Sequence, residues 1–197
     1  MNGAVAAILL AAGKSRRMGS CKQLLPLGDS TMIGCCLDTL ITGGVGEIVV
    51  VVSEAGHDVA EAVRSYPVRV VVSPEPEGDM ASSVRAGRDA LTAGAGGVIV
   101  SLCDYPLVSA ATIASLIAGH GSFPGRVIIP CHQKRRGHPL LFPRTILDEL
   151  VGDMILRDLV RRDPERICTL MVDDPGVLID MDTPEDYQRI CGLRQPA

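Results

Sequence analysis

Apolar and polar positions along the chain alternate between short continuous apolar runs and longer amphipathic stretches. The apolar runs predict strands at Ala4–Leu10, Glu47–Val52, Val68–Val72, Val98–Leu102 and Arg126–Pro130. The stretches between them predict helices over Met32–Leu40, Asp58–Arg64, Met80–Leu91 and Ser109–Ala118. Strands that alternate with helices in this order favour an α/β fold whose sheet is mainly parallel and covered on both faces.

The pattern loosens after Pro130, where a polar turn at Gln133–Gly137 precedes an apolar run at Pro139–Phe142. The remaining chain predicts helices near Thr145–Leu150, Ile155–Arg162 and Pro184–Cys191, and strands at Ile167–Val172 and Val177–Met181. Upstream of these, Gly94–Gly97 is expected to be the exit from the helix at Met80–Leu91. With 197 residues and no internal repeat or long linker, we expect a single domain.

Composition narrows the class of protein further. Apolar residues make up 47% of the chain but aromatic residues only 3%, which predicts an aliphatic core. A net charge of −4 does not fit the basic surface of a nucleic-acid-binding protein, so we expect no nucleic-acid partner. No apolar stretch approaches the ~20 residues of a membrane span, and no membrane association is expected. The 7 cysteines lack paired spacing, which indicates reduced thiols and a cytoplasmic location.

The first predicted strand ends in a loop that combines glycine with positive charge. Gly13 and Gly19 permit a positive φ and a close approach of a ligand to the backbone. Basic side chains are concentrated between Lys14 and Lys22, and no acidic residue occurs before Asp29. Backbone N–H groups together with concentrated positive charge favour a polyphosphate site, the alternative being an ordinary solvated turn.

This loop follows neither the Walker phosphate pattern nor the dinucleotide fingerprint. From Leu10 to Lys22 it resembles the signature Leu-Ala-Ala-Gly-x-Ser-x-Arg-Met-Gly-x-x-Lys of the MobA-like NTP transferases, which are related to molybdenum cofactor biosynthesis. Every fixed position of that signature is met. The resemblance implies that Arg17 and Lys22 are catalytic residues that hold the triphosphate. It implies nucleotide contacts from the rest of the loop, at Leu10, Ala11, Ala12, Gly13, Lys14, Ser15, Arg16 and Gly19.

Three carboxylates are candidate Mg²⁺ ligands. Asp104 directly follows the strand Val98–Leu102, where an oxygen ligand at a strand end can hold Mg²⁺; the alternative is a simple turn former. The spacing of Asp180 and Asp182 puts both on one face of an extended segment, where a cation would relieve their repulsion. Alternatively, Asp182 or Thr183 caps the last helix. The family's Asp-x-Pro and Asp-x-Asp-Thr-Pro-Glu-Asp motifs match both places, but which of Asp180 and Asp182 binds the metal stays open.

Two further stretches match the family with departures. Ser82, Ser83 and Arg85 fit the family's stretch Gly-Met-Ser-Ser-Ser-Leu-Arg-x-Gly and are expected to contact the nucleotide; alternatively, the serines satisfy a helix N-terminus. The turn Gly-His-Pro at His138 matches a family turn on the side of the second substrate, and Arg157 is retained from the segment Gly-Asp-x-Gly-x-Arg. The resemblance therefore implies acceptor binding by His138 and Arg157.

The resemblance extends from Ile8 to Tyr187 and is strongest to the molybdenum cofactor cytidylyltransferases. It implies a Rossmann-like three-layer nucleotidyltransferase fold in one domain, residues 1–197, with a nucleotide-binding half at about 1–107 and an acceptor-binding half at about 108–197. The implied reaction is Mg²⁺-dependent transfer of CMP from CTP to a molybdopterin-type acceptor, with release of pyrophosphate. The alternatives are guanylyl or sugar-phosphate nucleotidyl transfer and a non-catalytic carrier that delivers the finished cofactor to a molybdoenzyme. A nicotinamide-dependent oxidoreductase is less favoured because the glycine fingerprint is missing.

Overall fold

A mainly parallel sheet forms the centre of the protein, and helices cover both of its faces. The computed structural model describes residues 4–13, 21–73 and 80–194. The strands are β1 (Ala4–Leu10), β2 (Pro26–Leu27), β3 (Ser30–Thr31), β4 (Glu47–Val52), β5 (Arg69–Val72), β6 (Ala95–Leu102), β7 (Val127–His132), β8 (Arg135–Arg136), β9 (Leu140–Pro143) and β10 (Ile167–Met171). The helices are α1 (Met32–Thr42), α2 (His57–Ala62), α3 (Met80–Ala90), α4 (Ala110–Ser122), α5 (Arg144–Leu147), α6 (Leu156–Arg162) and α7 (Pro184–Arg194). Short 3₁₀ turns occupy Lys22–Leu24, Pro164–Arg166 and Pro175–Leu178.

The order of the strands puts β1 inside the sheet. Within the described residues the strands follow the order β10-β7-β9-β6-β1-β4-β5, with β8 attached to β7 and a separate small hairpin of β2 and β3. β1 pairs in parallel with β4 and β6, whereas β9 runs antiparallel to both β6 and β7. The predicted α/β fold with a mainly parallel sheet is therefore confirmed.

Alternate residues of β1 belong to opposite faces of the sheet. Ala7 and Leu9 pack in a cluster with apolar residues of α1, α2 and α4. Ala6 and Ile8 pack in a second cluster with residues of α3, α5 and α6. The sheet thus separates two helical layers, which is the expected three-layer arrangement. Of the helices in the described ranges, none combines the length and the apolar character needed to cross a bilayer.

Hydrogen bonds hold neighbouring strand ends together at the carboxyl edge of the sheet. The Ala11 N–H donates to the carbonyl oxygen of Val51 at 2.8 Å, and the Cys103 N–H donates to that of Leu10 at 3.1 Å. The segments that follow β1 and β6 therefore leave the sheet side by side. This edge is where parallel α/β sheets bind their ligands.

Two hydroxyl side chains cap helices. Thr31 Oγ1 accepts a hydrogen bond from the Gly34 N–H at 3.2 Å at the start of α1. Ser109 Oγ accepts one from the Thr112 N–H at 3.2 Å at the start of α4. Each cap satisfies a backbone donor that the first turn of a helix leaves without a partner.

The segment Val177–Met181 is not a strand, so this prediction is wrong. A 3₁₀ turn over Pro175–Leu178 takes its place, and the Asp174 carboxylate caps it by accepting from the Gly176 N–H at 2.9 Å. Gly176 packs directly on the carbonyl group of Leu107, with which a Cβ at this position would collide. Contacts with loops, and not a strand ladder, fix this segment.

Other boundaries also differ from the prediction. Residues 95–97, expected to be the exit of a helix, instead begin β6. Gly97 suits a strand here because the His120 ring of α4 lies against it, and a Cβ would sit 2.8 Å from His120 Nε2. The helix expected at Thr145–Leu150 is confined to Arg144–Leu147, and the apolar run before it forms the antiparallel strand β9.

We expect Gly87→Ala to destabilise the protein, because Gly87 lies where α3 packs on the sheet. An added Cβ would lie 2.5 Å from Ile8 Cγ2 and 3.0 Å from Val51 Cγ2. Overpacking of this kind costs about 1–3 kcal/mol in the free energy of unfolding, which urea denaturation measures.

Gly192→Ala in α7 is the matched control. Its Cβ would meet no neighbouring atom within 4 Å. Without a steric conflict, replacing Gly by Ala stabilises by about 0.4–1 kcal/mol. Equal effects of the two substitutions would contradict the close packing of α3 on β1.

Candidate active site

The Lys22 ammonium group joins three segments that are far apart in the sequence. Its Nζ donates hydrogen bonds to Asp104 Oδ2 at 3.1 Å, to the Met181 carbonyl oxygen at 2.9 Å and to Asp182 Oδ1 at 3.2 Å. Asp104 lies just beyond β6, and the other two acceptors lie just before α7. The structure therefore brings together three of the residues that the sequence analysis selected.

The charge on Lys22 is stabilised by its surroundings. Its side chain is only 12% exposed, and burial by itself would lower its pKa. The carboxylates of Asp104 and Asp182 outweigh burial and raise the pKa of Lys22 above its ordinary value. Lys22 is therefore a fixed cation at neutral pH. It lies beside the edge of the sheet from which the segment after β1 leaves.

Asp104 keeps one carboxylate oxygen available. Its Oδ2 accepts from Lys22, whereas its Oδ1 is buried and has no hydrogen-bond partner among the described residues. A backbone hydrogen bond of 2.9 Å from the Met181 N–H to the Asp104 carbonyl oxygen fixes the turn. A buried carboxylate oxygen without a partner is costly unless a ligand such as a cation binds it.

The donor set suits a cation that keeps other ligands. Among the described residues, no three His, Cys, Asp or Glu side chains converge into a closed metal site. Mg²⁺ commonly binds through one or two carboxylates and completes its shell with water and substrate phosphates. Asp104 with Asp182, separated by the Lys22 ammonium, fits that second kind of site.

Thr183 caps α7, so the Asp182 carboxylate is not needed as a cap. Asp182 belongs instead to the Lys22 cluster, which consists of Lys22, Asp104 and Asp182. Thr183 Oγ1 accepts from the Asp186 N–H at 3.2 Å, and Asp186 Oδ2 accepts from the N–H groups of Asp182 and Thr183 at 3.1 and 2.9 Å. The Thr183 hydroxyl also donates to Asp186 and is the main reason that the pKa of this carboxyl is lowered. Asp180 and Asp182 are both exposed, on either side of the buried Met181.

A buried glutamine that the sequence analysis missed supports the start of the loop after β1. Gln23 Nε2 donates to the carbonyl oxygens of Ala11 at 3.0 Å and Gly13 at 2.8 Å. Leu10 and Ala12 are partly buried in the same stretch, and Gly13 is exposed at its end. The available signal was a polar residue directly before the apolar Leu24-Leu25-Pro26-Leu27, since a buried amide must find partners. The predicted contacts Lys14, Ser15, Arg16, Arg17 and Gly19 lie outside the described residues.

The serines at the start of α3 are buried. Ser82 is 2% and Ser83 6% exposed, and the Ser83 hydroxyl lies 3.1 Å from the Ser73 hydroxyl after β5. The pair of hydroxyls joins α3 to the end of β5, so Ser83 has a structural contact. Arg85 is half-buried, and its Nη1 has no hydrogen-bond partner among the described residues.

The rings of Tyr105 and His138 pack against each other at a tilt beside the carboxylates. Their ring centroids are 4.9 Å apart with an interplanar angle of 44°. Burial and the negative charges of nearby Asp180, Asp104 and Asp182 raise the pKa of Tyr105 to about 12, so its hydroxyl stays protonated. Burial lowers the pKa of His138, although Asp104 and Asp180 act in the opposite direction.

A cavity of about 450 Å³ opens beside His138. His138 and Arg157, the two residues expected to bind the acceptor, both line it, together with apolar side chains of β6, β7, β9 and α6. Lys22 and Asp104 do not line it. Because His138 contacts Tyr105, the neighbour of Asp104, the cavity lies next to the carboxylates and remains separate from them.

Comparison with known proteins gives the family. Residues 7–167 match the model of the MobA-like NTP transferase domain. The chain is 29% identical over 198 residues to nicotine blue oxidoreductase from Paenarthrobacter nicotinovorans, covering 94% of this chain and 96% of that protein.

Solved structures of similar proteins agree with this family match. The structure of Rv0371c from Mycobacterium tuberculosis H37Rv is similar with a TM-score of 0.84 and 30% identity, covering 98% of this chain and 100% of that one. A complex of Rv0371c with manganese gives a TM-score of 0.80 at 29% identity, covering 98% and 100%. A nucleotidyl transferase from Methanothermobacter gives 0.84 at 27% identity and covers 98% of both chains. The protein therefore belongs to the MobA-like NTP transferase family, and nucleotidyl transfer is the activity that this family supports.

Proposed function

We propose that this protein transfers CMP from CTP to a molybdopterin-type acceptor in an Mg²⁺-dependent reaction that releases pyrophosphate. The observation that carries the proposal is the cluster of Lys22, Asp104 and Asp182, in which Asp104 Oδ1 has no hydrogen-bond partner within residues 4–13, 21–73 and 80–194. A fixed cation beside a carboxylate oxygen that can take a further ligand, at the carboxyl edge of the sheet, suits a metal–triphosphate complex. The manganese complex of Rv0371c supports a divalent ion in a similar protein.

The proposed reaction requires that the negative charge of the triphosphate is neutralised and that the acceptor phosphate is aligned with the α-phosphorus. An acceptor phosphate is already anionic, so its oxygen can attack the α-phosphorus in line without a general base. Lys22 would offset negative charge on the triphosphate and on the departing pyrophosphate. Asp104 and Asp182 would hold Mg²⁺, which when bound neutralises phosphate charge. We assign Asp182 here and not Asp180, because Asp182 shares the Lys22 ammonium with Asp104.

The proposal assigns the two substrates to two halves of one domain. Residues at about 1–107 bind the nucleotide and residues at about 108–197 contribute most of the acceptor site. CTP is favoured by Ala12, because the family motif Leu-Ala-Ala-Gly accompanies cytidine transfer and Leu-Ala-Gly-Gly guanosine transfer. A cytoplasmic location belongs to the same proposal and agrees with the 7 cysteines, all of which are free thiols.

An oxidoreductase is the second candidate. It is favoured by the similarity to nicotine blue oxidoreductase, which extends over 94% of this chain. Fluorescence titration with a reduced nicotinamide cofactor separates the two candidates, since a nucleotidyltransferase has no use for it. Guanylyl or sugar-phosphate transfer would change which nucleotide binds best. A carrier function would leave the protein without binding of any nucleotide.

We expect CTP with Mg²⁺ to raise the melting temperature more than GTP, ATP or UTP, because a ligand of the native state stabilises it by mass action. Chelation of the metal should abolish most of the shift.

Asp104→Asn should also abolish the shift in melting temperature with CTP and Mg²⁺. It should reduce nucleotidyl transfer about 100-fold or more, because the site loses a charge that acts in the transition state.

Asp173→Asn is the control for Asp104→Asn, because Asp173 is fully exposed and lies outside the Lys22 cluster. It should keep the wild-type shift. A larger shift in melting temperature with GTP than with CTP would favour guanylyl transfer instead of cytidylyl transfer. No shift with any nucleotide, or a shift that Asp104→Asn retains, would overturn it.

Gln23→Leu should weaken CTP binding, because Gln23 holds the carbonyl groups of Ala11 and Gly13 at the start of the loop. Leaving two acceptors without their donor should also cost about 1–3 kcal/mol in the free energy of unfolding. Calorimetric titration with CTP and urea denaturation measure the two effects. Gln188→Leu, on the exposed surface of α7, should change neither. Unchanged CTP affinity in Gln23→Leu would remove this residue from the site.

A further inference from the structure

The hydrogen-bond donors of the Lys22 ammonium group all have acceptors within the protein. An ammonium group carries three N–H donors. Asp104 Oδ2, the Met181 carbonyl oxygen and Asp182 Oδ1 accept from Lys22 Nζ at 3.1, 2.9 and 3.2 Å. A phosphate oxygen that binds Lys22 must therefore replace at least one of these acceptors, and contact between Lys22 and a triphosphate requires the ammonium to move away from a carboxylate.

The carboxylates that pair with Lys22 are also the ones that the proposed function gives to the metal. Asp104 Oδ1, which has no hydrogen-bond partner among the described residues, belongs to the same carboxylate as the Oδ2 that contacts Lys22. The side chains of Lys22 and Asp104 are only 12% and 25% exposed, so water screens charges here incompletely. A divalent cation at Asp104 would therefore be repelled by the ammonium group beside it.

The charges of the Lys22 cluster distinguish two forms of the metal. Its two carboxylates and one ammonium leave a single net negative charge to attract a bare divalent cation. A metal–triphosphate complex brings additional negative charge, and its phosphate oxygens can accept hydrogen bonds from the ammonium in place of the carboxylates. The bare cation has no group that could do so.

We propose that Lys22 makes the site selective for the metal–triphosphate complex, because its ammonium occupies the carboxylates of Asp104 and Asp182 against a bare divalent cation and moves to the triphosphate when the complex binds. The inference rests on the proposed function, since it takes these carboxylates as metal ligands. It adds a second role for Lys22 besides neutralising phosphate charge. Metal and triphosphate then bind cooperatively, because each lowers the cost of binding the other.

Binding of Mn²⁺ without nucleotide, followed by the electron paramagnetic resonance signal of free Mn²⁺, tests this role. We expect Lys22→Met to bind Mn²⁺ about tenfold or more tightly than the wild type, because the competing charge is removed. Lys22→Arg retains the charge and should bind Mn²⁺ as weakly as the wild type. Lys134→Met is the matched control, since Lys134 is exposed between β7 and β8 and lies outside the Lys22 cluster. Equal Mn²⁺ affinities of Lys22→Met and the wild type would overturn the proposal.

In the presence of CTP the order of the affinities should reverse. Lys22→Met should bind Mn²⁺ with CTP about tenfold or more weakly than the wild type, because the triphosphate loses a charged hydrogen-bond donor. Circular dichroism confirms that the variant is folded. A purely structural role of Lys22 would weaken binding under both conditions, and that result would contradict the selective role.

The wild-type protein provides a measurement that does not depend on the stability of a variant at position 22. Lysine occurs at only three positions of the chain, Lys14, Lys22 and Lys134, so isotope labelling of the lysine ε-carbons gives few resonances. Lys14→Arg and Lys134→Arg assign two of them and leave that of Lys22. Mg²⁺ alone should not shift the Lys22 resonance, whereas Mg²⁺ with CTP should. Equal shifts under the two conditions would show that the bare cation displaces the ammonium, contrary to the proposal.

These tests fail independently of the proposed function. If Lys22→Met gains Mn²⁺ binding while the wild type binds no CTP, the competition between Lys22 and the metal is retained and cytidylyl transfer is lost. If the wild type binds CTP with Mn²⁺ while Lys22→Met gains nothing without nucleotide, the transfer site is retained and the selective role of Lys22 is lost.

Discussion

The ammonium group of Lys22 is the interaction on which the candidate site depends. It is nearly buried, yet the carboxylates of Asp104 and Asp182 keep it charged, and the Met181 carbonyl completes its hydrogen bonds. Removing both carboxylates would leave the nearly buried Lys22 ammonium without its ionic partners, which costs more than an exposed ion pair contributes. The cluster therefore fixes the segment before α7 against the turn after β6, and it concentrates charge of both signs at one point of the sheet edge.

The sheet topology explains why this point is available. β1 lies between β4 and β6, so the segments that follow β1 and β6 emerge together at the carboxyl edge. The antiparallel β9 inserts between β6 and β7 and carries the wall of the neighbouring cavity. The tilted ring contact between Tyr105 and His138 connects the carboxylates of the sheet edge with this cavity. A nucleotide site and an acceptor site joined by this contact would allow nucleotidyl transfer by alignment and charge neutralisation.

Local signals in the sequence were sufficient for the parallel strands, because continuous Val, Ile and Leu runs have few alternatives in a doubly covered sheet. Asp104 could be selected for the same reason, as its position at a strand end follows from that pattern. The 3₁₀ turn at Pro175–Leu178 could not, since Asp174, which caps it, is itself held by the Ser109 N–H and Gly176 packs on Leu107, contacts that are distant along the chain. The role of Gln23 and the cavity beside His138 could not be predicted for a similar reason. Gln23 is important because it is buried, and the cavity is formed by residues of several elements.

Binding of Mn²⁺, followed by electron paramagnetic resonance, measures whether Asp104 contributes a metal ligand beside Lys22. We expect wild-type protein with CTP to remove the signal of free Mn²⁺, and Asp104→Asn with CTP to leave it close to that of CTP alone, because the oxygen that can take a metal belongs to the Asp104 carboxylate. Equal Mn²⁺ binding by the two proteins in the presence of CTP would contradict the assignment of Asp104, and with it the metal–triphosphate site built around Lys22.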